Sequence, residues 1–483
     1  MRYRRSIHWF RRDLRLADNP ALLAAATSSA EVVPLYVASI WKDRHRWTGP
    51  GRQEFLCGCL AALDHGLRAA GGRLVVRAGA AVDVLRELIR ETRAEAVFFN
   101  RAVDPFGRAT DHAVRALCRE AGIDCHDFGD AVLHEPDEVL TAAGTPFRVF
   151  TPFCRAWLKL APPAPAGRVK SLVSPEIRSL PLPRLADWGL REGLSAGQRL
   201  EAGEAAARQR LRDALAGPVR RYARDRDLPA GRTTSRLSQD LRFGLVSIRE
   251  VVARVIKGMR EAPTADVRES HEVFLKELGW RDFYLHILHH FPEVLDHEFN
   301  PATRGVAWDH DEEKLCAWAG GLTGFPIVDA GMRHLRATGF MPNRVRMIVS
   351  MFLTKDLHLD WRLGEQHFMR HLIDGEIASN NGGWQWSAGT GADAAPYFRI
   401  QNPWSQTKRF DPDGAYIKEW VPELRDVPAA RLVAPPPDGR PLARAYPRPI
   451  VDHAVEREET LRRFKEKMSI SPASASTSST RTG

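Results

Sequence analysis

The sequence predicts an α/β domain built on a doubly wound parallel sheet, followed by a large all-α domain. Three observations carry that expectation. Short apolar runs alternate with amphipathic stretches from Ser6 to about Asp127. Six prolines then crowd the interval from Pro162 to Pro183. From about Leu200 onward the apolar residues recur mostly at spacings of 3 and 4. Strand–helix alternation requires parallel strands with helices on both faces, proline clusters interrupt regular structure, and 3–4 spacing marks helices.

The elements follow in that order. "IHWF" precedes a helix-like "NPALLAAA", and "EVVPLYVASI" precedes "RQEFLCGCLAALDHGL". Then come "RLVVR", "AVDVLRELIR", "AEAVFFN" and "ATDHAVRALCREAG", three more βα or αβ steps. These set an α/β domain over residues 1–130, a long connector over 131–199 and a helical domain over 200–468, with "FLKELGWRDFYLHILHHF" and "VRMIVSMFLTKDLHLDW" as its most periodic segments. The last fifteen residues, 469–483, hold nothing to bury and are expected to be disordered. No internal repeat is present.

Bulk composition narrows the function classes. With 44% hydrophobic and 27% charged residues the 483-residue chain is an ordinary globular protein. It lacks an apolar run of membrane-spanning length, and the basic start "MRYRRSIHWF" is not followed by a secretory h-region. The six cysteines are scattered with no CxxC pair, so they read as reduced thiols of a cytoplasmic protein, with neither a disulfide frame nor a metal site. A formal charge of +10 favours a polyanionic partner, nucleic acid foremost.

Four stretches of the helical half concentrate chemistry. "GRTTSRLSQDLRFG" places Thr233, Thr234, Ser235 and Ser238 around Arg236, a set that suits a phosphate or, more simply, a helix cap. "ELGWRDFY" sets Glu277, Trp280, Arg281 and Tyr284 at i, i+3, i+4 and i+7 of one helix, where an indole can stack a base or merely join the core. "MPNRVRM" brings Asn343, Arg344 and Arg346 together after a proline. "LIDGEIASNNGGWQW" packs two acids, two asparagines and two tryptophans into a segment whose Asn-Asn-Gly-Gly centre reads as a turn.

In this order, with "WFRRDLRLADNPAL", "RDLPAGRTTSRLS", "TGFPIVDAGMRHLRATGFMPNRVRM", "KDLHLDW" and "GADAAPYFRIQNPW", these stretches give the chain a close resemblance to the DNA photolyase/cryptochrome family over roughly residues 5 to 465, most of all to class I cyclobutane pyrimidine dimer photolyases. The resemblance implies light-driven repair of pyrimidine dimers in double- or single-stranded UV-damaged DNA by a cytoplasmic monomer. It implies FAD, active in its reduced anionic form and held bent in the helical domain. By position, Tyr222, Thr234, Ser235, Arg236, Leu237, Ser238, Phe274, Asn343, Arg346, Asp374, Gly375, Glu376 and Asn380 would contact FAD, with Asp374 paired to Arg346 and Asn380 facing N5. Trp384, Trp361 and Trp308 would form an electron relay. Arg226, Glu277, Trp280, Arg281, Tyr284, Asn343, Arg344, Met347, Trp386 and Gln406 would meet the lesion or the DNA around it, with Glu277 hydrogen-bonding or protonating the dimer radical anion.

Two departures from the family pattern bear on ligands. Phe274 stands where close relatives carry Trp, which removes an indole N–H from the adenine side. Phe106-Gly107 stands where folate-antenna members carry Asn-Glu, so the second, antenna chromophore is expected to be a deazaflavin or flavin and not a folate. A signalling cryptochrome and a (6-4) photolyase are the alternatives. Asn380, Glu277, Trp280 and Asn343 argue against the first. Pro342-Asn343, where the (6-4) branch places histidine, argues against the second.

Overall fold

The computed structural model describes residues 1–39, 47–190, 193–194, 200–231 and 233–470. Five strands, β1 (Tyr3–Phe10), β2 (Ser29–Ala38), β3 (Val75–Ala78), β4 (Ala96–Asn100) and β5 (Asp124–Phe128), form one sheet in the order β3-β2-β1-β4-β5. Every pairing is parallel, with Trp9 opposite Leu35 on one side and Phe99 on the other. The α/β expectation is met. β1 is central, so Ser6 to Phe10 is buried without a break, the polar Ser6 and His8 included.

Helices α1 (Pro20–Ser28), α2 (Pro50–Ala69), α3 (Ala81–Thr92) and α4 (Pro105–Ala121) connect the strands. Asn19 caps α1 by accepting from Leu22 N, and Asp104 caps α4 by accepting from Gly107 N. Both helices carry proline in the first turn, where its missing N–H costs nothing. Leu85, Leu88, Val114 and Leu117 from α3 and α4 close over Ile7, Val33, Leu35, Val97 and Phe99. Each such side chain contributes about 1.5–3 kcal/mol by leaving water.

The connector holds more structure than its prolines imply. Phe150–Lys159 forms a helix, α5, and burying Phe150, Phe153 and Trp157 stabilises it. No helix is present from 162 to 184, where one antiparallel bridge, Ala17 to Arg168, ties the chain to the α/β layer. Helices α6 (Glu204–Ala216), α7 (Tyr222–Asp225), α8 (Ser238–Arg242), α9 (Ile248–Arg260) and α10 (Ala265–His290) follow. Beyond them lie α11 (Glu312–Gly320), α12 (Pro326–Thr338), α13 (Asn343–Met351), α14 (Trp361–His371), α15 (Ile377–Ala388), α16 (Pro403–Phe410), α17 (Ala415–Trp420), α18 (Ala429–Leu432) and α19 (His453–Ile470). The expected disordered tail is corrected at its start, because residues 469 and 470 belong to α19, whose preceding turns carry the apolar anchor Phe464. Residues 471–483 lie outside the described residues.

By contacts the chain divides into two compact units. The first comprises Met1–Arg226, Thr233–Pro292 and Met369–Ala378; the second comprises Asp227–Arg232, Glu293–Phe368 and Ser379–Gly483.

Candidate active site

In the first unit, α10 carries one cluster of expected residues. Thr264 caps this 26-residue helix by accepting from Val267 N. At 3.6 residues per turn, Glu277, Trp280 and Tyr284 rise along one side. The Trp280 indole lies flat on Phe150 of α5, with ring centroids 3.7 Å apart and planes 11° from parallel. Phe283 meets it edge-on at 5.6 Å, and Tyr284 is 5.5 Å away. Phe150 is thus the backing of an aromatic platform, and nothing in its own neighbourhood of sequence announces that role. Glu277 forms an ion pair with Arg226, whose guanidinium stands 5.9 Å over the Tyr222 ring. Tyr222 in turn meets Phe274 edge-on at 5.2 Å. Phe274 itself is buried.

Arg281 departs from this group. It is 100° round the helix from Trp280, and its guanidinium bonds buried Asp282 at 3.0 Å instead of extending to solvent. Asp282 also accepts from Leu133 N and Trp157 Nε1. Arg281, expected at the DNA, lines a cavity in the first unit. In the loop before α8, Thr234, Ser235 and Arg236 are half-buried, Leu237 is buried and Ser238 is exposed. The N-cap of α8 is Leu237, which makes no side-chain capping bond. Instead Arg236 adopts a left-handed φ of 53° and Leu237 a right-handed conformation, a backbone turn of the kind that points successive N–H groups at an anion.

The segment before α15 is fastened by two arginines, buried Arg52 and half-buried Arg242. Arg52 of α2 donates to the Leu372 carbonyl at 3.0 Å and to the Met369 carbonyl, and Arg242 of α8 donates to the Gly375 carbonyl at 2.9 Å. A β-carbon at Gly375 would strike the Arg52 guanidinium. Burial holds Arg52 down to about 10 against the pull of Asp374, and burial together with the charges of Arg12 and Arg52 holds Arg242 well below its ordinary value. Asp374 and Glu376 thus supply negative charge where two guanidiniums need it.

Glu376 also borders a cavity of about 490 Å³ at the carboxyl ends of β1 and β4. The strand order reverses there, which is where doubly wound sheets bind ligands. Trp9, Phe10, Tyr36, Phe106 and Trp188 line it together with Arg11, Arg12, Arg101 and Asp104. Burial would raise the Asp104 carboxyl, but Arg12 at 3.0 Å and the Gly107 N–H hold it below its usual range. Gly107 admits no side chain, because a β-carbon there would strike Ala102.

In the second unit, Trp384 of α15 is buried, edge-on to Phe368 at 5.0 Å and to Trp318 at 6.0 Å. Its ring fits because residue 364 is glycine; a β-carbon there would overlap the indole. The Trp384 N–H has no hydrogen-bond partner among the described residues. Trp361, fully buried, donates its N–H to Glu298 Oε1 at 3.3 Å, and Arg362 binds the same carboxylate at 3.1 Å. A parallel bridge from Asp309 to Leu359 brings Trp308, half-buried, near the start of α14 where Trp361 lies. Asn380 is buried and donates to the Glu365 carbonyl at 3.0 Å, which orients its amide. The Asn-Asn-Gly-Gly centre is helical in α15 and not a turn, because Asn381 bonds Val294 O and Glu365 Oε1 with tertiary partners a turn could not reach.

Around the start of α13, Asn343 is exposed with its amide 3.8 Å from Met347 Sδ. Arg344 bonds Asp227 at 2.8 Å and lies over Phe410, while Arg346 donates to the Met341 carbonyl at 2.7 Å. Trp386 and Gln406 are half-buried.

Residues 6–169 match the family model described as DNA photolyase, and residues 274–466 match that of the FAD binding domain of DNA photolyase. The deoxyribodipyrimidine photo-lyase of Agrobacterium fabrum is 42% identical over 94% of this chain and 96% of its own. The crystal structure of a bacterial class III photolyase from Agrobacterium tumefaciens superposes with a TM-score of 0.89 at 40% identity, covering 97% of this chain and 98% of that one. An archaeal photolyase from Sulfolobus tokodaii, solved with two FAD molecules, superposes with a TM-score of 0.83 at 32% identity over 96% of this chain and all of that one. With both halves matched and the identity spread over nearly the whole length, the chain belongs to the DNA photolyase family.

Proposed function

We propose that this protein is a deoxyribodipyrimidine photo-lyase that splits cyclobutane pyrimidine dimers in DNA under light, acting as a cytoplasmic monomer. The observation that carries the reading is the platform on α10, with Trp280 backed face to face by Phe150 and Glu277 held by Arg226 one turn earlier. A half-buried indole with a rigid backing can receive an extruded base, and a dimer already distorts its duplex, so taking it out of the stack costs less than flipping a sound pair.

The donor set fits FAD. The Arg236–Leu237 backbone turn suits a pyrophosphate, with Thr234, Ser235 and Ser238 beside it and Tyr222 and Phe274 as apolar walls. Asp374, Gly375 and Glu376 are fixed through their segment by Arg52 and Arg242, and Asn343, Arg346 and Asn380 carry the matching expectation in the second unit. When bound in reduced anionic form, FAD supplies the light-driven electron that opens the cyclobutane ring. The residues position and compensate charge. Glu277 faces the carbonyl oxygens of the dimer as a hydrogen-bond donor when protonated. Asn380 offers a neutral amide where a carboxylate would oppose negative charge. Trp308, Trp361 and Trp384 form the chain's own path for an electron from the surface inward.

The cavity at the sheet's switch point is the proposed antenna site. Phe106 and Trp9 offer faces to a planar chromophore, the arginines suit an anionic group, and the closed space at Gly107 leaves no room for the glutamate of the folate pattern. These features favour a flavin or deazaflavin.

The test is purification with its chromophores, an absorption spectrum, and incubation with an oligonucleotide carrying one thymine dimer in light and in darkness. Flavin absorption with light-dependent loss of the dimer is expected. A flavin-loaded, reduced protein that leaves the dimer intact in light would exclude the reading.

A further inference from the structure

The C-terminal end of α10 gathers three histidines that the repair reaction does not use. His286, His289 and His290 stand at i, i+3 and i+4, with ring centroids 4.5 Å apart for His286–His290 and 4.8 Å for His289–His290. His286 and His290, four apart, share a face, while His289 Nε2, His290 Nε2 and an Asp137 carboxylate oxygen all lie within 4.8 Å of one another. Opposite them, in the single helical turn Pro136–Glu138, Asp137 turns its carboxylate toward the pair. Asp137 Oδ2 is 3.6 Å from His289 Nε2, and Oδ1 is 3.8 Å from His290 Nε2.

Those separations are close to what a metal needs. Nitrogen and oxygen ligands about 2.0–2.2 Å from a tetrahedral zinc stand roughly 3.3–3.5 Å apart. A few tenths of an ångström bring Asp137, whose side chain is 74% exposed, to either nitrogen, and the two imidazoles, with ring centroids 4.8 Å apart, turn toward a shared cation. A second observation concerns the rings themselves. His286 is 1% exposed, and its ring nitrogens find only the Pro136 and Phe147 carbonyls, outside good hydrogen-bond geometry, as the buried His289 Nδ1 lacks a well-formed partner beside the Val103 carbonyl. Polar groups left so in an interior are costly unless something binds beside them. The competing contacts are weak or lie elsewhere. The Pro136 carbonyl is a long 3.3 Å from His290 Nε2, and Arg108 donates at 2.9 Å to the His289 backbone carbonyl and not to its ring.

We infer that His289, His290 and Asp137 form a binding site for a divalent transition cation of the imidazole-preferring class, zinc foremost, with His286 backing the pair and the remaining coordination position open to water. The expectation of no metal rested on the cysteines, and this cluster contains none. A bound cation would tie the 136–138 turn to the end of the same helix that carries Glu277, Trp280 and Tyr284. The inference stands apart from the photolyase reading, since no residue of that site is involved.

The experiment uses full-length protein without a histidine tag, titrated with zinc alone by calorimetry and followed by thermal melting, and with cobalt alone for its visible spectrum. One equivalent per chain, a higher melting temperature with zinc and a four-coordinate cobalt spectrum are expected. Asp137→Asn, on an exposed side chain with little at stake in folding, should weaken zinc at least about tenfold and remove the melting shift while leaving the metal-free melting temperature unchanged. His289→Gln should do the same to the affinity, and His65→Gln, at an exposed site elsewhere, should change nothing. Equal zinc affinity in wild type, Asp137→Asn and His289→Gln overturns the site, and so does absence of binding at millimolar zinc.

Discussion

Trp384 and Trp361 are both buried indoles, yet their N–H groups live in opposite surroundings. Among the described residues the Trp384 N–H has no acceptor, whereas that of Trp361 donates to the buried carboxylate of Glu298. An indole that loses an electron becomes a cation, which a neighbouring carboxylate stabilises and an apolar wall does not. In the proposed relay, the vacancy left by an electron would therefore be drawn from Trp384 toward Trp361. Replacing Trp384 with phenylalanine keeps a ring against Gly364 and Phe368, so the fold should survive while photoreduction of oxidised flavin falls at least about tenfold and chemically reduced protein still repairs. Wild-type photoreduction in that variant removes Trp384 from the relay. Glu298→Gln preserves an acceptor for the Trp361 N–H and removes its charge, and should slow photoreduction severalfold with repair by pre-reduced protein unchanged. A wild-type photoreduction rate in Glu298→Gln would show that the carboxylate has no part in it. Trp384 could be named as a candidate because it sits inside an ordered run of family residues. Glu298 was not, because its partner is 63 positions away and only tertiary packing joins them.

Among the elements, strands and helices of the first 130 residues were readable because burial on both faces of a parallel sheet leaves continuous apolar runs. The turn expected at Asn380-Asn381 was misread for the converse reason. Its side-chain amides bond the backbone of other elements and so allow a helix where local chemistry favours a loop. Phe150 was missed because α5 is defined by what it packs on. The C-terminal helix shows how such packing becomes a measurable property. Lys355 lies in a π-helical turn, Phe352–Asp356, and donates to the Ala388 carbonyl at 2.7 Å, with its ammonium 3.8 Å over the Phe464 ring of α19. Burial pulls this lysine down to about 7. The unfolded chain then binds a proton that the folded chain does not hold between about pH 7 and its ordinary value near 10.5, so stability rises with pH across that window and the gain is absent below pH 7. Asp356, raised to about 6 by burial despite its bond from His453, changes charge below the window and does not obscure it. Denaturant unfolding at pH 7.5, 8.5 and 9.5 should show wild type gaining on Lys355→Met by up to about 1.4 kcal/mol per pH unit. Parallel curves for the two proteins would mean that Lys355 stays charged in the fold.

At the scale of the whole molecule, a net charge of +10 acts on any DNA, damaged or not. Each phosphate contact releases about one counterion, so the logarithm of affinity falls with the logarithm of salt in proportion to the number of contacts. Charge alone cannot find a lesion, and the chain's two kinds of residue should separate in one titration. Arg344 lies over Phe410 with its charge partly met by Asp227, and is proposed to reach a phosphate when DNA is present. Arg344→Ala should weaken damaged and undamaged duplexes alike and lower the salt slope by about one unit. Trp280 has no charge to lose. Stacked on Phe150, it is proposed to meet a base only when one has left the helix, so Trp280→Ala should cost about 1–3 kcal/mol on a duplex with one thymine dimer and almost nothing on its undamaged match, with the slope unchanged on both. Binding to undamaged DNA also reports that the variant has folded, since the loss of Phe150's partner would otherwise confuse the result. Competition titrations on the matched duplexes at four salt concentrations measure all three quantities. Equal losses for Trp280→Ala on the two duplexes would make the Trp280–Phe150 stack a part of the core, and lesion recognition would then have to rest on other residues.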